Sequence, residues 1–259
     1  MFPMQEEISI LGNKINCFSK ISDLYDRIIT DLKSNQKGYV TVNNVHTMIE
    51  GFWKTEYQKI INEAYLSIPD GKPLEIVGKL KGNKNISRLF GPTVMEKFID
   101  WGRKDNVSHF FFGGSESTLL KLKKVIEVKY PGARVAGFFS PPYKPIHEWD
   151  NRKYIDLINQ TNPDFIWIGL GAPKQEYWMY ENYQQIEKGI LFGIGAGFDY
   201  VAGNTKHAPQ WLKNASLEWL YRLFQEPGRL WKRYLRTIPQ FILLASLELS
   251  GVHFRNKPK

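Results

Sequence analysis

The sequence predicts an α/β fold: a largely parallel sheet covered by helices, with a basic helical appendage towards the carboxyl-terminal end. Three observations predict it. From residue 40 to 194, short apolar runs alternate with stretches of helical spacing, the rhythm of strands joined by crossover helices. Two runs, residues 165–168 and 190–194, break into glycine turns, Gly169-Leu170-Gly171-Ala172-Pro173 and Gly195-Ala196-Gly197-Phe198-Asp199. Continuous, short apolar runs of this kind suit strands buried on both faces. Finally, the charge is lopsided. The net charge is +9 over 259 residues, and from Gly203 onward 10 Lys or Arg stand against 3 Asp or Glu. The expected division is an α/β core over residues 1–203 and a basic helical appendage over 204–259.

Taken in order, residues 7–17 alternate in the manner of a strand or a hairpin arm. Residues 22–33 place Leu24, Ile28, Ile29 and Leu32 on one helical face, with Ser22 as the N-cap. Residues 38–42 read as a strand running into Asn43-Asn44-Val45-His46, where His46 is expected to hydrogen-bond locally. A helix over about 53–66 leads to Ser67-Ile68-Pro69-Asp70-Gly71-Lys72-Pro73. Pro-Asp-Gly is turn chemistry, yet Asp70 is also a carboxylate at the end of a short apolar run. Both readings stand on the residues alone. Residues 84–104 form a mostly helical connection through Gly91-Pro92-Thr93. Next come a strand, a Gly113-Gly114 turn and a helix start with Ser115 and Ser117 as caps. Bare N–H groups at such a start favour phosphate, so Gly114 and Ser115 are candidate contacts beside the plain-turn reading. A helix over 117–130, a strand over 134–138, the rigid Ser140-Pro141-Pro142-Tyr143 loop and a helix over 148–161 lead into the glycine turns.

Parallel sheets bind ligands at the carboxyl ends of their strands. The two glycine turns are therefore expected to share one pocket. Pro173 suits a first helical turn and sets Lys174, Gln175 and Glu176 at its mouth. Neither turn completes the dinucleotide fingerprint: Lys174 stands where the third glycine belongs in one, and the other fails as well. This argues against an ordinary NAD site. Beyond the turns, a helix over 209–225 carries Leu212, Ala215, Trp219, Leu220 and Leu223 as its apolar stripe. Trp211 and Trp219 are expected to serve packing. Glu226-Pro227-Gly228 breaks it, and Arg229, Lys232, Arg233 and Arg236 follow on one face of a second helix, with Arg222 two turns before them. Residues 238–249 are apolar but fall short of the roughly 20 needed for a bilayer span. They suit a membrane interface, the domain surface or a subunit contact.

Composition narrows the class. Hydrophobic content is 42%, ordinary for a soluble globule, and the single cysteine, Cys17, allows no internal disulfide and fits a reducing compartment. The start, MFPMQEEISI, lacks the basic region and apolar run of a signal peptide. A basic end suits nucleic acid, an anionic membrane or a diphosphate.

The run GLGAPKQEYWM, with GIGAGFDYVAGNTKHAPQWLKNASLEWLYRLFQEPGRLWKRYL after it, resembles the signature of the WecG/TagA/CpsF glycosyltransferases, glycosyltransferase family 26. The resemblance extends over nearly the whole chain and implies a Rossmann-like core. It implies transfer of a sugar, N-acetylmannosamine or a related one, from a UDP donor to a polyprenyl-diphosphate-linked saccharide in cell-surface polysaccharide synthesis. It further implies work at the cytoplasmic face of the cell membrane as a peripheral protein, with inversion at the anomeric carbon. Asp70 then matches the Asp-Gly proposed as catalytic base, and Arg222 and Arg229 match arginines that neutralise diphosphate. Lys232 stands where a basic residue is expected, keeping the charge without the bidentate fork. Thr41 and Asn44 match a Thr/Asn motif near the nucleotide, although the doubled Asn43-Asn44 leaves two registers. Gly71, Gly114, Gly169, Gly171, Pro173, Lys174, Gln175, Glu176, Gly195, Asp199 and Arg233 complete the expected substrate-binding set. Many members carry Asp where Thr93 stands, so one carboxylate is missing here. Neither a cofactor nor a metal is expected: the UDP-sugar is a substrate, cationic groups can stabilise its departing diphosphate, and there is no DxD motif. Homo-oligomer formation stays open. Two other classes compete, a nucleotide-binding oxidoreductase or non-transferase, and a nucleic-acid-binding protein using the basic end and eight tryptophans. The incomplete fingerprint speaks against the first. Steep salt dependence would mark the second.

Overall fold

All six strands of the main sheet run the same way. The computed structural model describes residues 6–209, 211–212, 217–252 and 254. An antiparallel hairpin comes first, β1 (Glu7–Ile10) and β2 (Asn13–Asn16). Its two-residue turn, Leu11-Gly12, has both residues in the left-handed region, at φ 52° and 77°, the geometry that matches strand twist. There follow α1 (Ile21–Lys33), β3 (Gly38–Asn43), α2 (Val45–Trp53), α3 (Thr55–Glu63), β4 (Leu66–Pro69) and α4 (Lys72–Leu80). The second half of the core holds α5 (Gly91–Asp105), β5 (Ser108–Gly113), α6 (Glu116–Lys129), β6 (Arg134–Phe139) and α7 (Asn151–Thr161). It closes with β7 (Phe165–Gly169), α8 (Lys174–Asn182), β8 (Ile190–Gly193) and the short α9 (Gly197–Val201). The strand order is β4-β3-β8-β7-β5-β6. This is the Rossmann-like α/β architecture that the alternation predicts.

Strand periodicity divides the core into two layers. Phe165 and Trp167 face one side with Val40, Phe111 and Phe192, and pack on α1, α5, α6 and α9. Ile166 and Ile168 face the other with Tyr39, Phe112 and Leu191, and pack on the hairpin, α2, α3, α4, α7 and α8. Both faces of the sheet are therefore dry, as continuous apolar strands require.

The carboxyl-terminal part consists of α10 (Glu218–Gln225) and α11 (Pro227–Leu249). Pro227 sits at the first position of α11, where its missing N–H costs nothing, so the Glu-Pro-Gly break is only a sharp corner. The apolar residues 238–249 continue the basic helix rather than forming a separate element. Phe241 and Ala245 enter the hairpin-side core, and α11 lies along α2 and α4. Trp53 Nε1 donates to Gln240 Oε1 at 2.8 Å. At the far end, Glu248 accepts from the Leu11 N–H at 3.1 Å and pairs with Lys81 at 3.1 Å. Among the described residues, no helix is long and apolar enough to cross a membrane.

Four local expectations are corrected. The helix expected over 53–66 is α3, shorter at both ends: Trp53 closes α2, the chain corners at Lys54, and Leu66 is already strand. The cap of α1 is Lys20, not Ser22, because Asp23 reaches back to the Lys20 N–H at 3.1 Å. The helix expected over 209–225 is described as α10 from Glu218 onward, and Leu217 is non-helical. Ala215, one of its expected stripe residues, lies outside the described residues. Trp211 is exposed rather than packed.

Candidate active site

The edge at the carboxyl ends of β3 and β4 carries the acid. Asp70 follows β4, and its N–H donates to Asn43 O at 2.7 Å, which continues the ladder by one residue. Asp70 Oδ1 accepts the Gly91 N–H at 2.7 Å, so the amino end of α5 points a donor, and its positive dipole end, at the carboxylate. Burial pushes the Asp70 carboxyl above its usual range, while Arg88 and the Gly91 N–H pull it back. Arg88 Nε donates to the Asp70 carbonyl at 2.7 Å, and its guanidinium lies 4.5 Å above the Phe90 ring. Asn44 caps α2, with Oδ1 accepting from the His46 N–H at 2.9 Å. The His46 ring departs from its expected local hydrogen bond: Nδ1 is buried without a partner. Burial, then the nearby Arg233, lowers its pKa from 6.5 to about 4.

A cavity of about 440 Å³ opens on this edge, roofed by α10 and α11. Its inner end holds Asn44, His46, Asp70, Arg88, Glu218, Arg222 and Arg233. Its outer end runs between α4 and α11, where Ile76, Leu80, Ile238, Phe241, Ile242 and Leu249 line it. Arg222 lies over the Tyr200 ring at 5.4 Å, and Arg233 over Tyr234 at 5.2 Å. The Nε of each is buried with no partner. Buried donors left unpaired are costly, and two guanidinium groups in that state around one cavity favour an anionic ligand there.

The glycine turns meet each other but not this cavity. The Gly195 and Ile194 N–H groups both reach the Ile168 carbonyl, at 3.3 and 3.0 Å. Gln175 ties the turns from below: Oε1 accepts the Gly171 N–H at 3.1 Å, and Nε2 donates to Glu176 Oε1 at 2.7 Å. Glu176 is fully buried, and burial pushes its carboxyl up to about 7. Asp199 Oδ1 accepts from Thr118 Oγ1 at 3.1 Å and from Asn204 Nδ2 at 3.0 Å, which fixes α9 to α6. A Cβ on Gly169 would stand 2.5 Å from the Phe198 ring, so only glycine fits there.

The predicted residues therefore fall into three sets. Asp70, Gly71, Asn44, Arg222 and Arg233 meet at the cavity. Gly114, Gly169, Gly171, Pro173, Gln175, Gly195 and Asp199 gather at the β5, β7 and β8 turns, with Glu176 buried beneath and Lys174 exposed beside them. Thr41 is buried inside β3, its Oγ1 accepting from Asn43 Nδ2 at 2.9 Å. Arg229 and Lys232 lie on the exposed side of α11, Arg229 paired with Glu226 and Lys232 over Trp231. Sequence reasoning missed Arg88 and Glu218. Arg88 sits in an irregular stretch with no periodicity to mark it, and Glu218 is spaced like any solvent-facing acid. Among the described residues, no group of three or more His, Cys, Asp or Glu is placed to hold a metal ion.

A parallel sheet with a sheltered acid and unpaired guanidinium groups at its carboxyl edge is an α/β arrangement suited to an anionic substrate. The chain belongs to the glycosyl transferase WecG/TagA/CpsF family, whose model matches residues 8–253. It is therefore a glycosyltransferase. Three relatives share the name N-acetylglucosaminyldiphosphoundecaprenol N-acetyl-beta-D-mannosaminyltransferase. The protein of Bacillus spizizenii is 28% identical over 213 residues, covering 82% of this chain and 80% of its own. That of Bacillus subtilis is 29% identical over 188 residues, covering 73% and 71%. That of Staphylococcus aureus strain MW2 is 25% identical over 201 residues, covering 72% and 70%.

Proposed function

We propose that the chain transfers N-acetylmannosamine, or a related hexose, from a UDP donor to a polyprenyl-diphosphate-linked saccharide. The observation that carries this is the two-ended cavity. Its inner end offers a carboxylate and guanidinium groups, its outer end apolar side chains, and the two are continuous. An acceptor with a sugar, a diphosphate and a polyprenyl chain has the same order of chemistry. The names of the relatives point to an acceptor of that class.

In this reading Asp70 takes the proton of the acceptor hydroxyl as its oxygen bonds to the anomeric carbon. The bond from that carbon to the diphosphate breaks, and UDP leaves with the electron pair. Attack from the opposite face inverts the centre in one displacement. Burial makes Asp70 a better base than a solvated carboxylate. Arg222 and Arg233 are aimed at diphosphate charge, a preorganised electrostatic contribution that needs no metal. The donor nucleotide is assigned to the outer face of the glycine turns, which Gln175 and Asp199 hold in shape rather than touching it directly; β8 pairs with β3, so its sugar has only to cross that edge to reach Asp70. Leu235, Ile242 and Leu243 are exposed on α11 near Arg229, Lys232 and Arg236. That mixture suits peripheral contact with an anionic membrane, which in this reading is the cytoplasmic face.

The test is UDP release from a panel of UDP sugars, with a short-chain polyprenyl-diphosphate-GlcNAc acceptor, with and without EDTA. Acceptor-dependent turnover of one donor, indifferent to EDTA, is the expected result and names the sugar. Turnover that needs no lipid-linked acceptor would overturn the acceptor assignment, and loss of turnover in EDTA would overturn metal independence.

A further inference from the structure

Glu218 is a buried acid that the transfer step leaves unused. It opens α10, a position where an acid commonly serves the helix dipole in water. Here it is only 9% exposed. Its Oε2 meets Arg88 Nη2 at 2.6 Å, and its Oε1 is buried without a partner. Service to the dipole requires neither the burial nor the arginine.

Arg88 is held from the core side by three contacts. Its main-chain N–H donates to Glu75 Oε2 at 3.0 Å, its Nε donates to the Asp70 carbonyl at 2.7 Å, and its guanidinium rests on Phe90. Glu218 is the contact that comes from the appendage. One turn further along α10, Arg222 lines the same cavity. It lies over Tyr200, whose ring meets Phe90 edge to face at 5.4 Å. The order Arg88, Phe90, Tyr200, Arg222 is thus a ladder of two cations and two rings, and Glu218 closes it by joining α10 back to Arg88. Removing one member of such a sheltered pair leaves the other charge uncompensated, so the two sides hold their positions together.

We propose that Glu218 is a positioning residue: through Arg88 it couples the seating of α10 to the segment that holds Asp70, so that the acid and Arg222 take their places together. The role given to Asp70 rests on the function proposed above; the coupling does not.

The experiment is a double-mutant cycle on the full chain, with Arg88→Gln, Glu218→Gln and the pair, read first by amide hydrogen exchange and then by UDP release. In Glu218→Gln, exchange is expected to quicken about tenfold in residues 218–225 and also in residues 88–91, where the Gly91 N–H meets Asp70, while β7 and β8 stay protected. The double variant should be no worse than the poorer single one. UDP release with acceptor should fall about tenfold or more in Glu218→Gln. Additive effects in the cycle, or faster exchange confined to α10, would overturn the coupling. Coupled exchange in a protein whose wild type releases no UDP with any donor would uphold the coupling and sink the proposed UDP donor instead.

Discussion

The two halves of the sheet's carboxyl edge differ in where their polar groups go. At the β7 and β8 turns they are mostly satisfied internally: Gln175 takes the Gly171 N–H, Ile168 takes two N–H groups, Asp199 is bound to Thr118 and Asn204, and only one oxygen of Glu176 is buried without a partner. At the β3 and β4 end, two guanidinium Nε atoms, one imidazole nitrogen and a Glu218 oxygen are buried without partners. A tight, self-satisfied turn gives a rigid platform. An edge that keeps buried donors unpaired is arranged for a ligand, since such groups cost free energy until something binds them. The glycine motifs draw the eye in the sequence, but the electrostatic demand lies at the other end.

The sharpest way to break this comparison is Asp70→Asn. The amide keeps an acceptor for the Gly91 N–H but cannot take a proton. Turnover should fall by about 10²–10⁴, the usual contribution of a general base, with donor binding retained; isothermal titration with UDP beside steady-state rates separates the two. Full activity would move the chemistry away from the covered edge. The platform is tested by Gly169→Ala, whose Cβ would enter the Phe198 ring. A loss of about 1–3 kcal/mol in stability is expected, as for overpacking a dense core, read from the urea midpoint. Smaller again is the contrast between Arg222→Ala and Arg229→Ala. The first removes a sheltered cation and should lower acceptor kcat/KM by about 10–100-fold, the worth of a charge-assisted hydrogen bond. The second removes an exposed pair with Glu226 and should cost only a few-fold. Equal losses would show that the exposed side of α11 meets substrate as well.

At neutral pH the smallest effect comes from the histidines. Burial lowers His46 to about 4 and His109 to about 3, both from 6.5. Each is held neutral in the fold, so its contribution to stability is complete above pH 6.5 and is lost as the pH falls from there through the folded value. Stability should therefore decline between pH 6.5 and about 3. His109→Phe should flatten the lower part of that decline in acid denaturation curves, because the ring stacks on Phe165 with only one described polar contact, from Trp167. An unchanged acid limb would assign the decline to other groups.

The parallel sheet was legible because period and turn chemistry act locally. Residues 165–168 alternate between the two faces as a buried strand must, and Ser115 caps α6 through the Thr118 N–H. Asp70 was legible as a carboxylate at the end of an apolar run, and as the acid that the family resemblance picks out. The joining of Asp70 to Arg88 and Glu218 was not, because it depends on where α10 lands, and no spacing along the chain encodes that. The basic helix misled in the same way. Offsets of 3, 4 and 7 put Arg229, Lys232, Arg233 and Arg236 near one another, but only packing against α2 and α4 decides that Arg233 turns inward and Arg229 outward.

The hydrogen bond from Leu11 to Glu248 joins positions 237 apart. During synthesis the hairpin and the Asp70 edge emerge long before the helix that roofs them. At ~5–20 residues per second the interval is on the order of ten seconds. Through that time the nascent core has its acid but no roof and no Arg222. The order of translation thus acts as a timer, and only a chain made as far as Leu249 has the full lining of the cavity.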